Sequence, residues 1–175
     1  EDGIRDGIAN TWFTMGKIYQ KRGDLTKSLQ YLHKALSMKR ELNDQIEIPS
    51  ILRSIGENYM QRENYHQALD YFSKALGQAR TQHQKEEIKD IYKALYQTHQ
   101  RSGNHQKALD YYTQYSALKD SLNNQRISEL EMQYEFEKKQ EQLRYEQKKK
   151  EAIQQARLKR QRILTWAFII GFVLL

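Results

Sequence analysis

An interval of forty residues constrains this chain more than any other feature. Gly16 and Gly56 are separated by it, Tyr19 and Tyr59 repeat it, and Leu29, Leu69 and Leu109 repeat it twice, as do Tyr31, Tyr71 and Tyr111. Ser28, Ala68 and Ala108 form a fifth column with small side chains. Self-similarity at such a period marks stacked supersecondary units, each too small to bury its own apolar face. Within each unit the apolar spacing is helical: Trp12, Met15 and Tyr19, then Leu52, Ile55 and Tyr59, on a first helix; Leu25, Leu29, Leu32 and Leu36, then Tyr65, Leu69, Phe72 and Leu76, on a second. The small columns let two helices approach closely. Turns are expected at residues 22–24 (RGD), 62–64 (REN) and 101–104 (RSGN), where glycine or asparagine accepts the left-handed conformation, and Pro49 suits a helix start.

Composition agrees with an all-α reading. One proline and eight glycines leave little punctuation for a β-sandwich, and 38% hydrophobic content suits a modest core with extended polar elements. No cysteine is present, which removes disulfides, thiolate metal sites and thiol nucleophiles. The chain opens on Glu1-Asp2-Gly3 with neither methionine nor a leader pattern, as expected of a fragment or a processed chain.

The motifs W-x-x-M-G-x-x-Y (Trp12, Met15, Gly16, Tyr19) and A-x-x-x-F (Ala68, Phe72) resemble the tetratricopeptide repeat. The expected architecture is an all-α stack of helical hairpins over residues 1–124, with repeats at about 9–48, 49–88 and 89–124. The period of 40 rather than 34 calls for longer helices or wider turns between repeats. In the third copy Tyr96 replaces the glycine and Tyr115 the alanine, as a terminal repeat would.

Residues 125–162 contain no glycine or proline and read as one long charged stalk helix. Ile127, Leu130 and Tyr134 follow a 3-4 spacing, and Phe136 to Leu143 is a heptad step, but Glu146 to Glu151 has no apolar residue. A solvated spacer and a short parallel coiled coil giving a weak homodimer both fit. Residues 138–162 hold ten Lys/Arg against three Glu, a net of +7, whereas residues 1–137 hold nineteen of each sign. Nucleic-acid binding by this basic stretch is disfavoured, because Tyr145 is its only aromatic and base stacking needs more. The final run, residues 163–175, is uncharged and too short for the roughly 20 residues that span a bilayer, so it reads as a truncated transmembrane helix. Arg160, Arg162 and Trp166 are the expected membrane-interface residues.

The order of parts, hairpin repeats ending in YYTQYSALKDSLNNQ, the stretch ISELEMQYEFEKKQEQ, a basic patch and an apolar helix, resembles the sensor region of bacterial membrane-anchored tetratricopeptide signalling proteins. That resemblance implies a histidine kinase or a helix-turn-helix regulator beyond the membrane helix. It also implies repeats on the periplasmic side of the inner membrane, whereas the basic residues Lys148 to Arg162 favour the cytoplasmic side by charge.

Catalysis and metal binding are not expected. His33, His66, His83, His99 and His105 form no H-E-x-x-H pair, and His99 occupies the tyrosine column as a packing residue. No cofactor is called for. A peptide or protein ligand is expected on the concave face lined by the first helices. Taking Trp12, Leu52 and Tyr92 as one column, the residues one and five positions later are Phe13 and Lys17, Arg53 and Glu57, and Lys93 and Gln97. Where relatives hold a terminal carboxylate with lysine and asparagine in the first repeat, this chain has Phe13 and Lys17. Arg53 and Lys93 are expected to be exposed.

Overall fold

The computed structural model describes the backbone of residues 2–173 and the side chains of residues 2–165. Among them are six helices and no strand: α1 (Asp2–Lys21), α2 (Leu25–Glu41), α3 (Ile48–Gln61), α4 (Tyr65–Thr81), α5 (Lys85–Arg101) and α6 (His105–Val173). The chain divides into two units, Glu1–Asn123 and Asn124–Leu175.

In the first unit, α1 packs on α2, α3 on α4, and the rings of α5 meet those at the start of α6. The hairpins join through α2 against α3 and α4 against α5, while α3 also touches α1 and α5, so the first helices line one face. The longer period has two sources: α2, α4 and α5 each have 17 residues, and before the 14-residue α3 the link between hairpins widens to residues 42–47. The turns within the hairpins stay tight.

Those turns repeat one construction. Asp24 N–H donates to the Tyr19 carbonyl (3.0 Å), Asn64 N–H to that of Tyr59 (2.9 Å) and Asn104 N–H to that of His99 (2.8 Å), which satisfies carbonyls the helix end leaves open. The same side chains then cap the next helix, Asp24 accepting from Lys27 N–H, Asn64 from Gln67 N–H and Asn104 from Lys107 N–H. The left-handed residue precedes each cap: Gly23 and Gly103 at φ 80°, and Glu63 at φ 60°. At the REN turn the expectation of a left-handed asparagine is therefore corrected. Asn64 is more useful as the cap, because its side chain reaches the N–H three residues on, and Glu63 takes the strained conformation. Asn43 and His83 are left-handed between hairpins.

The core runs through all three hairpins, from Leu29 to Leu95, with Leu32, Ile51, Ile55, Phe72 and Ile91 fully buried. Gly16 and Gly56 are required by close approach: a Cβ on Gly16 would lie 2.7 Å from the Leu32 side chain, and one on Gly56 2.6 Å from the Phe72 ring. Ser28, in the small column, is buried and donates to the Gly16 carbonyl at 2.8 Å. In the third hairpin Tyr96 meets Tyr112 edge-on at 5.5 Å instead. The tyrosine columns pair within each hairpin: Tyr19 stacks on Tyr31 at 5.4 Å, Tyr59 on Tyr71 at 5.4 Å, and His99 on Tyr111 at 5.6 Å. His99 is thus an aromatic packing residue. Burial, aided by Lys107, lowers its pKa and keeps it neutral.

One polar group in this core was not anticipated. Lys39 is buried on the apolar stripe of α2, with its Nζ 2.6 Å from Asp6, 2.7 Å from Asp44 and 2.7 Å from Glu47. Burial alone would lower its pKa, but bonds to Asp44 and Asp6 and the nearby Glu47 charge outweigh that and raise it well above an ordinary lysine. The cluster ties α1, α2, the turn and the entry to α3 together.

In the second unit the described side chains are exposed along a helical backbone. Among the described residues no helix is long and apolar enough to cross a membrane. Of the expected membrane segment 163–175, Ile163 and Leu164 are exposed, and the side chains from residue 166 on, Trp166 included, lie outside the described residues.

Candidate peptide-binding groove

A groove of about 320 Å³ opens on the first-helix face between α3 and α5, lined by Arg53, Glu57, Met60, Gln61, Asp90, Lys93, Ala94 and Gln97. Its positions follow from helical spacing. Arg53, Glu57 and Gln61 lie four residues apart on α3, and Asp90, Lys93, Ala94 and Gln97 keep a 3-4 pattern on α5. The period of 40 sets Arg53 across from Lys93 and Glu57 across from Gln97.

The two cations differ in kind. Arg53 is held from both sides, its Nε donating to Glu87 at 2.7 Å and a terminal nitrogen to Glu57 at 2.7 Å. Glu57 in turn accepts from Gln20 on α1 at 3.4 Å. Burial works against the Arg53 charge, but Glu87 and Glu57 outweigh it and raise its pKa above the ordinary value. The expectation that Arg53 is exposed is corrected: it is partly buried and internally neutralised, since its guanidinium meets Glu57 one turn on along α3 and Glu87 on α5. Lys93 is exposed and forms no ion pair among the described residues. It is the cation a ligand can use.

Four expected residues, Arg53, Glu57, Lys93 and Gln97, are thus brought to one groove. Phe13 and Lys17 are not among its lining residues. They pair with each other on α1, where the Lys17 ammonium lies 4.6 Å from the centre of the Phe13 ring, and Phe13 packs against the core. Met60, Gln61, Asp90 and Ala94 were missed. Continuing the four-residue ladder from Arg53 and Glu57 would have found Gln61, whereas Met60 and Ala94 look like core positions until the separation of α3 and α5 is known. Arg160 and Arg162 are exposed in the second unit. No group of three His, Asp or Glu is arranged to hold a metal ion among the described residues.

Comparison with known proteins agrees with this architecture. Two tetratricopeptide-repeat family models match, one over residues 9–42 and one over residues 47–121. No curated protein matches the sequence. Among solved structures, the tetratricopeptide domain of Arabidopsis FLU is similar at a TM-score of 0.64 and 20% identity, over 67% of this chain and 98% of that one. Aspartyl phosphate phosphatase F from Bacillus subtilis is similar at 0.66 and 18% identity, over 68% of this chain and 31% of that one. BtubC (BKLC) from P. vanneervenii is similar at 0.63 and 16% identity, over 69% of this chain and 51% of that one. At these identities the likeness concerns the fold. With the repeated columns, the paired helices and both family matches in agreement, this chain is a carrier of tetratricopeptide repeats.

Proposed function

We propose that the repeats hold an extended stretch of polypeptide in the groove between α3 and α5. The carrying observation is the combination there of an apolar floor at Met60 and Ala94, the amides of Gln61 and Gln97, and the unpaired Lys93. Amide side chains both donate and accept, as a peptide main chain requires, and Lys93 supplies a charge for a carboxylate. A photo-crosslinking residue at Lys93 or Gln97 should capture a polypeptide in cells, whereas one at Asp70 or Lys74 on α4 should not. Adducts only from α4 would move the site to the second helices.

In the same reading, the chain is the sensor portion of a single-pass protein of the bacterial inner membrane. Its stalk joins in a weak pair and passes the bound state to an output domain. Support comes from the uncharged run 163–175, the basic stretch before it and the order of the parts. The basic stretch also supports a second reading, a tetratricopeptide adaptor held on the cytoplasmic side. Replacing the exposed His66 with cysteine separates the two. Labelling of intact cells by a membrane-impermeant maleimide requires the external location, and labelling only after lysis requires the cytoplasmic one. Single cysteines through residues 127–145 should crosslink between copies with a seven-residue periodicity if the stalk pairs.

A further inference from the structure

Charge is divided unevenly between the two edges of the hairpin stack. The three hairpin turns, taken as the matching windows 21–27, 61–67 and 101–107, hold six Lys/Arg against two Asp/Glu, a net of +4. The windows 1–7, 41–47 and 81–87, at the edge where the hairpins begin and are linked, hold two Lys/Arg against eight Asp/Glu, a net of −6.

The edges differ again in what their charges meet. At the linked edge Asp6, Asp44 and Glu47 converge on Lys39, Glu41 meets Arg5 at 2.6 Å and Glu87 meets Arg53 at 2.7 Å, so these carboxylates are neutralised within the fold. At the turn edge Lys27 meets Asp24 at 3.0 Å. The remaining cations there, Lys21, Arg22, Arg62, Arg101 and Lys107, are exposed and form no ion pair among the described residues. Arg62 donates to the Thr26 hydroxyl at 2.7 Å, which joins the second turn to the first and leaves its other guanidinium N–H groups open.

The forty-residue period sets these cations in a row. Lys21 and Arg101 share one column, Arg22 and Arg62 the next, and Lys27 and Lys107 a third. Neighbouring first helices are in contact, which spaces successive turns about 10 Å apart. An extended polypeptide covers that step in about three residues. A guanidinium binds a carboxylate through two parallel hydrogen bonds, a geometry that suits Asp and Glu side chains. Other polyanions find less. None of the exposed large apolar side chains falls in the three turn windows, so a bilayer meets no apolar anchor there. The rings just before the turns, Tyr19, Tyr59 and His99, are already stacked on Tyr31, Tyr71 and Tyr111 and offer no free face for bases.

We infer that the turn edge is a docking surface for an acidic stretch of a partner protein, held extended with Asp or Glu at about every third residue. The surface is separate from the groove between α3 and α5 and does not depend on what that groove binds.

The test uses the full chain with a photo-crosslinking residue at His66, in the second turn window, or at Lys74, about two turns further along α4. The probe is a fluorescent peptide with glutamate at every third position among glycines, alongside its glutamine counterpart. Adducts should form at His66 with the glutamate peptide and be several-fold weaker at Lys74 and with the glutamine peptide. Lys21→Gln, Arg22→Ser and Arg101→Gln together should reduce the His66 adduct several-fold. Each introduces a side chain already present in the same column, at Gln61 or Ser102, so the fold is kept, and circular dichroism checks it. Lys148→Glu, Lys149→Glu and Lys150→Glu together should leave the adduct unchanged, which separates the edge from the basic stretch of the stalk. Equal adducts with the glutamine peptide, or an adduct lost with the stalk charges and insensitive to the edge substitutions, would overturn the inference. Complete loss of the adduct on adding phosphatidylglycerol vesicles or a short thymidine strand at equal charge would overturn it too, and assign the edge to lipid or to nucleic acid.

Discussion

The Phe72 ring stands so close to Gly56 that a Cβ built on the glycine would lie 2.6 Å from it, and that contact sets the separation of α3 and α4. Phe72 is fully buried, so the ring has nowhere to move without disturbing the core. Gly56→Ala should therefore cost about 1–3 kcal/mol through overpacking, and Gly56→Leu more. Gly77, also helical, has nothing within 4 Å of its would-be Cβ, and Gly77→Ala should stabilise by about 0.5–1 kcal/mol. Urea unfolding of both variants checks the pair, and equal effects would remove the close-approach argument.

Glu63 occupies the left-handed position that glycine fills at Gly23 and Gly103. Since Glu63 is exposed, Glu63→Gly relieves backbone strain without opening a cavity. A gain of about 0.5–1 kcal/mol is expected, the greater freedom of glycine in the unfolded chain offsetting part of the relief. The thermal midpoint should rise.

Replacing Lys39 with methionine leaves Asp6, Asp44 and Glu47 facing one another without a cation. All three carboxylates are partly open to water, so the expected loss is about 1–3 kcal/mol at neutral pH, less than for a wholly buried pair. The bond to Lys39 holds the Asp44 pKa below that of an ordinary aspartate, so its contribution is present above about pH 4 and is lost as pH falls through the folded-state value. The raised Lys39 pKa contributes below about pH 10 and is lost as pH rises through the folded value. Lys39→Met should flatten both limbs of the stability profile.

His99 is held neutral by burial against Tyr111. A base with a lowered folded-state pKa contributes fully above its unfolded value near pH 6.5 and loses that contribution as pH falls toward the folded value. His99→Tyr restores the ring found at Tyr19 and Tyr59 without a titrating group. Thermal melts should show the variant losing less stability than the natural chain between pH 7 and pH 5. An unchanged slope would mean His99 is not the titrating group.

The two groove cations should respond differently to substitution. Arg53→Ala removes the partner of Glu87 and Glu57, both partly buried, and should cost about 1–3 kcal/mol of stability. Lys93→Glu, at an exposed and unpaired position, should leave the melting midpoint nearly unchanged while reducing capture by the crosslinker at Gln97 several-fold. A large stability loss from Lys93→Glu would show that it has a structural partner.

The amino-acid sequence by itself determined the repeat, its frame and the pairing of helices, because each hairpin needs one apolar stripe per helix and a small residue where the helices cross. Gly16, Gly56 and the column of Ser28, Ala68 and Ala108 therefore fall where the close contacts are. It also placed Arg53, Glu57, Lys93 and Gln97 on one face, since helical spacing and a constant period fix direction. Only the tertiary structure decided which of those charges is free, because Arg53 is neutralised by Glu87, a residue 34 positions away on the next first helix. The same holds for Lys39, a lysine on an apolar stripe, buried only because Asp6, Asp44 and Glu47 converge on it from three segments. Periodicity reports the direction in which a side chain points, and the distance across the groove, together with what stands on the far side, is set by packing between helices.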